Sequence, residues 1–392
     1  MKKAIIFTTL LLLSVGNVSF GQVHDSISCK PLIHQVEFDF APGYVFQTHD
    51  FFKGVNLKDK KIDKDLSFHL KYAFQFAPDS YFGKLYPHTY QGIGVSYNTF
   101  FNTKELGNPV ALYVFQGSRI KQIATHLSLD YEWNFGASFG WKPYDADNNW
   151  NNTMVGSKIN AYLSLGLLLN WQMNRQWRLI TGVTATHYSN GNTHCPNAGV
   201  NIVGAKLGVM RVFDASYDEA LVNRDLKLTT APYLSYDVVI FGATRSKVLS
   251  NESVIIPGNF GIFGFNFNPM YNFNKYFGAG ISLDGQYDES ANIEKYEAGQ
   301  DKDGNYRFYR PPFRERVGVG LSLRGELTMP IFSINVGVGH NMFYKGSDWG
   351  GFYQILALKA HVTRHIFLHA GYQLSKCHDP KNLMLGVGYH FY

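Results

Sequence analysis

His187 and Ser189 stand two residues apart in the run Thr186-His187-Tyr188-Ser189-Asn190-Gly191. An imidazole can take the proton of a hydroxyl, and the activated oxygen can attack an ester carbonyl. Such chemistry also needs a third group to hold the imidazole and donors for the developing oxyanion. Asn190, Asn197 and the Gly191 backbone are candidate donors, because the stretch Pro196-Asn197-Ala198-Gly199-Val200-Asn201 follows closely. Its proline and glycine shape a loop that can fold back over the pair.

Residues 176–188 alternate as a β-strand does, so positions two apart share a face, about 7 Å from each other. Trp177, Leu179, Thr181, Val183, Ala185, His187 and Ser189 form one face, the more apolar one. Gln176, Arg178, Ile180, Gly182, Thr184, Thr186 and Tyr188 form the other. On the following strand, Asn201, Val203, Ala205, Leu207 and Val209 share a face, with Lys206 opposite. Three polar side chains, His187, Ser189 and Asn201, therefore converge at one end of an apolar surface. Unpaired polar groups in hydrocarbon cost several kcal/mol, roughly, so this placement needs a reason. A second reading makes His187 and Ser189 rim residues, satisfied by water and headgroups.

The rest of the chain reads the same way. Lys2 and Lys3, an apolar run from Ala4 to about Val15, and Ser19-Phe20-Gly21 read as a secretory signal peptide cleaved after Gly21. No later apolar run is long enough for a membrane helix. Aromatic residues are 16% of the chain and charged residues only 17%, which suggests a transmembrane β-barrel rather than a soluble sandwich. The formal charge of +6 is scattered, with no polybasic segment to bind nucleic acid. Three cysteines, Cys29, Cys195 and Cys377, are no disulfide framework, although Cys195 and Cys377 both fall in expected outer loops. His194 and Cys195 fit no zinc spacing.

Alternating segments divided by turn-rich stretches predict about sixteen strands. They fall at 34–46, 66–77, 89–100, 108–117, 123–135, 158–171, 176–188 and 198–213, then 229–243, 257–271, 275–286, 314–328, 331–341, 352–364, 366–376 and 382–392. Long polar stretches such as 47–65 and 287–313 alternate with tight turns such as Gln172–Arg175, Asn272–Lys275 and Met329-Pro330. Two expected inner connections, 78–88 and 214–228, are longer than that pattern. The chain ends in an alternating strand closing on Tyr389-His390-Phe391-Tyr392, like the assembly signal of bacterial outer-membrane proteins.

His187-Tyr188-Ser189-Asn190, then Pro196-Asn197 and Gly199, resembles the lipid A 3-O-deacylase (PagL) family, often labelled acyloxyacyl hydrolases. The resemblance is specific over about 176–213 and loose over 34–213, an eight-strand unit, with 214–392 beyond it. It implies an outer-membrane barrel that removes an ester-linked acyl chain from lipid A without a cofactor. By it Ser189 is the nucleophile and His187 the base. Asn197 carries the oxyanion-hole side chain, helped by backbone N–H groups near Asn190, Gly191 and Asn192. The family's triad acid falls at Asn201, here a neutral amide. Asp130 or Glu132 is the alternative acid, placed at the outer end of an earlier strand.

The expected architecture is all-β: one closed barrel of about sixteen strands first, two tandem eight-stranded barrels joined by 214–228 second. The expected units are a signal peptide at 1–21, an eight-strand unit at 22–213, and further barrel strands at 214–392. Two rivals to the esterase remain. One is a passive channel lined by Gln176, Arg178 and Lys206; the other is a non-catalytic lipopolysaccharide-binding barrel.

Overall fold

The computed structural model describes residues 32–213, 231–249, 255–302, 306–375 and 379–392. The expected signal peptide, the 214–228 connection, Cys29 and Cys377 lie outside the described residues. The strands close twice rather than once, so the single large barrel gives way to two barrels of eight strands.

The first barrel runs β1 (Leu32–Val45), β2 (Lys64–Phe76), β3 (Tyr90–Thr99), β4 (Gly107–Ala124), β5 (Leu127–Trp141), β6 (Ile159–Gln172), β7 (Trp177–Ser189) and β8 (Val200–Val212). Each strand pairs antiparallel with the next, and β8 closes on β1 from Gln35↔Val212 to Val45↔Ile202. Two short helices, α1 (Asp50–Lys53) and α2 (Tyr81–Leu85), interrupt the connections. The second explains the length of 78–88: its N-terminus is capped where the Gly83 N–H donates to Ser80 Oγ at 3.0 Å.

The second barrel comprises β9 (Tyr233–Arg245), β10 (Phe260–Asn272), β11 (Phe277–Asp288), β14 (Val317–Thr328), β15 (Phe332–Tyr344), β16 (Phe352–His361), β17 (Ile366–Ser375) and β18 (Asp379–Phe391). It closes β18 on β9, from Leu385↔Gly242 to Phe391↔Tyr236. Within the stretch 287–313, read as a loop, β12 (Glu297–Gln300) and β13 (Tyr306–Phe308) form a separate two-stranded hairpin.

Both barrels are apolar outside and polar inside, the inverse of a soluble protein and the arrangement lipid demands. In the first, Phe38, Leu70, Ile93, Leu165, Val183 and Val203 are exposed, whereas Glu37, Asp39, Lys71, Glu132 and Lys206 are buried. Lys71 Nζ lies 2.5 Å from Glu132 Oε1, and Lys206 Nζ lies 2.6 Å from Glu37 Oε1. In the second, Asp284 accepts from Arg324 Nη2 at 2.7 Å and from the Tyr353 hydroxyl at 2.6 Å. There Lys359 bridges Asp237 and Glu326.

This packing speaks against a wide channel through the first barrel. An eight-stranded barrel is narrow enough for side chains to fill. A cavity of about 20 Å³ among Asp39, Asp65, His69, Asn134 and Lys206 has room for about one water. Arg178 and Lys206 do point inward, but buried, and Gln176 sits exposed before β7.

The strand boundaries differ from expectation mainly at β4 and β5. Ser118–Gln122 is polar after Gly117 and reads as a turn, yet the chain stays extended to Ala124. It absorbs the irregularity as register shifts between Arg119 and Lys121 and between Gln122 and Ala124.

Candidate active site

β7 shows how the site is set up. Tyr188 points inward and is fully buried, with its ring 5.1 Å from Trp141, 5.4 Å from Tyr162 and 6.4 Å from Phe100, centroid to centroid. That aromatic cluster clamps the backbone between the outward-facing His187 and Ser189. Aromatic pairs at these separations contribute roughly 0.5–1.5 kcal/mol each beyond their burial. The anchor is thus the central residue of the His-x-Ser run, one the sequence reading assigned only to the inner face.

Register places the partners. His187 lies opposite Leu163 on β6 and Asn201 on β8, and Ser189 lies opposite Ala161. His187 Nδ1 and Asn201 Oδ1 are 2.7 Å apart. An amide oxygen can only accept, so in the neutral imidazole this contact puts the proton on Nδ1. Nε2 is left with a lone pair, the form a general base needs. One row further along the barrel wall, Ala185 faces Leu165 and Val203; the next row is Leu167, Val183 and Ala205. The polar cluster thus sits directly above an apolar surface.

Asp130 and Glu132 do not reach His187. They pair with Leu168 and Gly166, rows away from Leu163 toward the opposite end of β6. Both carboxylates point inward and are engaged, Asp130 by Ser128 and Asn170, and Glu132 by Lys71. Their expected place at the outer end followed from the misplaced β4–β5 turn.

The loop 190–199 gathers the remaining candidates. The Asn190 N–H donates to Asn197 Oδ1 at 3.0 Å, and Asn197 Nδ2 donates to Asn192 Oδ1 at 3.1 Å. The Asn190 side chain donates to the His194 carbonyl at 2.7 Å. Gly191 and Asn192 are both left-handed, with φ of 64° and 63°. Glycine takes that conformation freely and asparagine tolerates it, which suits these residue types to the turn. Asn197 keeps a second amide hydrogen besides the one given to Asn192. From the other side, the Gly199 N–H donates to the Met154 carbonyl at 3.1 Å.

Gly199, expected from the sequence to shape the loop, also comes close to the imidazole. Its φ is +76°, and a Cβ there would stand 3.0 Å from His187 Cε1, 3.1 Å from the Tyr188 carbonyl oxygen and 3.7 Å from Ser189 Cβ. Imidazole and serine therefore both border the space that Gly199 leaves open. Cys195 in the same loop is half-buried and has no disulfide partner among the described residues. Burial pushes its pKa up, partly opposed by the nearby Arg245 charge, so it is a poor rival nucleophile.

Fold and site together define an all-β transmembrane barrel protein with a serine, a histidine and an amide clustered on its outer wall. The chain belongs to the lipid A 3-O-deacylase and acyloxyacyl hydrolase family. The model described as Lipid A 3-O-deacylase (PagL) matches residues 84–210, and that described as Acyloxyacyl hydrolase, C-terminal domain, matches residues 234–392. The second half, expected to fall outside the resemblance, is therefore part of it. No curated protein matches the chain.

Among solved structures, the chain is similar to a mutant of the ferric enterobactin receptor of Pseudomonas aeruginosa, at 10% identity over 86% of this chain, with a TM-score of 0.23. It spans 43% of that receptor's length. It is also similar to a triple mutant of the Rhodopseudomonas blastica porin, at 11% identity over 92% of this chain and 100% of the porin, with a TM-score of 0.16. An outer membrane channel from Pseudomonas putida F1 gives 11% identity over 94% and 99% of the two chains, with a TM-score of 0.20. Likenesses this distant carry no functional argument.

Proposed function

We propose that the chain is an outer-membrane serine esterase that removes an ester-linked acyl chain from lipid A. The observation that carries this reading is the 2.7 Å contact of His187 Nδ1 with Asn201 Oδ1, on the outward face beside Ser189. Ser189 Oγ attacks the ester carbonyl while His187 Nε2 takes its proton. The oxyanion is met by the Gly191 N–H and the second amide hydrogen of Asn197. His187 then gives that proton to the departing sugar-side oxygen, which leaves as a hydroxyl, and an acyl-serine remains. Water, deprotonated by the same nitrogen, releases the fatty acid and restores Ser189. The acyl chain lies on the apolar rows of Leu165, Ala185 and Val203, so the substrate's own bilayer holds it in register. An apolar outer wall supports residence in the outer membrane, with lipid A presented in the outer leaflet.

Mass spectrometry of lipid A incubated with the purified chain tests this reading. The expected product has lost one acyl chain, with equimolar free fatty acid. Unchanged lipid A sinks the esterase reading and leaves a lipopolysaccharide-binding barrel.

Two substitutions probe the third member. An anion opposite imidazole stabilises the imidazolium formed during attack, which a neutral amide does only weakly. Asn201→Glu is expected to raise the hydrolysis rate by about tenfold and Asn201→Ala to lower it by about tenfold. Equal rates for all three chains remove Asn201 from the mechanism. Gly199→Ala adds a Cβ against His187 Cε1 at a left-handed position. Displacing the base by a fraction of an ångström is expected to cut kcat by about 100-fold with KM little changed. An unaltered kcat would show that the imidazole does not depend on that gap.

A further inference from the structure

The oxyanion loop is held from a third side by a distant part of the chain. Between β9 and β10 in sequence, the described residues 246–249 and 255–259 form one compact unit with the first barrel. The Ser246 N–H donates to the Asn192 carbonyl at 2.8 Å. Its hydroxyl lies 3.2 Å from the Thr193 carbonyl oxygen and 3.1 Å from Asn259 Oδ1. Ser246 is itself buried. Behind it the segment closes on itself: the Ile256 N–H donates to the Lys247 carbonyl at 2.8 Å, and Val248 bridges to Ile255.

The carbonyls that Ser246 holds belong to the turn that matters. Asn192 is the second of two successive left-handed residues, and its side chain is the one on which Asn197 rests. Thr193 ties the turn back, its N–H and hydroxyl both donating to the Asn190 carbonyl, at 3.3 and 3.0 Å. Left alone, a turn with a non-glycine residue at positive φ relaxes toward commoner conformations. Relaxation would move the Gly191 N–H and the Asn197 amide from the places this turn gives them.

We propose that Ser246 is a positioning residue that fixes the shape of the loop presenting the oxyanion donors. The effect on turnover rests on the esterase reading above; the brace itself does not. It gives the second half of the chain a part in the chemistry of the first.

The test uses the full chain in detergent, with two readouts: hydrogen–deuterium exchange of amides 190–198, and kcat and KM on lipid A. Ser246→Pro removes the N–H that holds Asn192. Its constraint on the preceding residue is already met, because Arg245 ends a strand. Exchange in 190–198 is expected to rise by about tenfold. With it kcat should fall by about 10- to 100-fold while KM stays within about twofold. Ser246→Thr keeps both donors and should match the native chain. Should the proline variant fail to fold, Ser246→Ala loses only the hydroxyl contact and should lower kcat by about two- to fivefold, with faster exchange at Thr193. Native exchange and native kcat in Ser246→Pro, or in Ser246→Ala where the proline chain does not fold, overturn the proposal. Faster exchange with native kcat overturns the positioning role. If the native chain releases no fatty acid but Ser246→Pro still loosens the loop, the esterase reading fails and the brace stands.

Discussion

Ser189→Ala is expected to lower kcat on lipid A by at least about 10³-fold, with the first barrel intact. In the proposed mechanism the serine hydroxyl forms the acyl intermediate, and no other nucleophile of the loop stands in for it. The nearest thiol, Cys195, is half-buried and held protonated by burial, and the neighbouring asparagines are not nucleophiles. His187→Ala should cost about as much, because an unactivated hydroxyl is a weak nucleophile at neutral pH. The two act as one unit, so the double variant should be no worse than either single one. Additive losses would mean that imidazole and hydroxyl work in separate steps. Released fatty acid, measured against native chain at equal concentration, decides this.

Lys71→Met is expected to destabilise the first barrel by about 3–5 kcal/mol. Lys71 is fully buried and lies within 3.5 Å of Glu37 and Asp39 and 2.5 Å of Glu132, sharing these carboxylates with Lys206. Removing one of two cations leaves three buried carboxylates facing a single ammonium. Taking out Glu132 as well, in Lys71→Met/Glu132→Leu, removes one charge of each sign and should recover most of the loss. Thermal unfolding in detergent, followed by the mobility shift of the folded barrel, reads both. A single variant as stable as the native chain would mean that solvent reaches this cluster and screens it.

The outer wall was readable from the chain because alternation has a fixed period of two. Once Val183, Ala185 and His187 share a face, so must Ser189, and Asn201 follows from the next strand. Pairing closes at a distance, and a local pattern does not carry it. Nothing in β8 or β18 announces that each closes a barrel of its own, since both are ordinary alternating strands. The β4–β5 turn was misread because Ser118–Gln122 has turn-like polarity while keeping extended backbone, and that error moved Asp130 and Glu132 to the wrong end. Of the candidate site, the shared face of His187, Ser189 and Asn201 was legible from residue type and alternation. What Tyr188, Gly199 and Ser246 do there was not, because they act through a buried ring, an absent Cβ and a carbonyl contact across a long stretch of sequence.

Covalent trapping tests the assignment of Ser189 as the nucleophile most directly. The purified chain in detergent is treated with a long-chain alkyl fluorophosphonate, and the adduct is mapped by peptide mass spectrometry. The account predicts one phosphonyl group on Ser189, absent in His187→Ala, with loss of lipid A hydrolysis in proportion to labelling. Full hydrolysis in a chain without that adduct, or an adduct on a different residue, would contradict it.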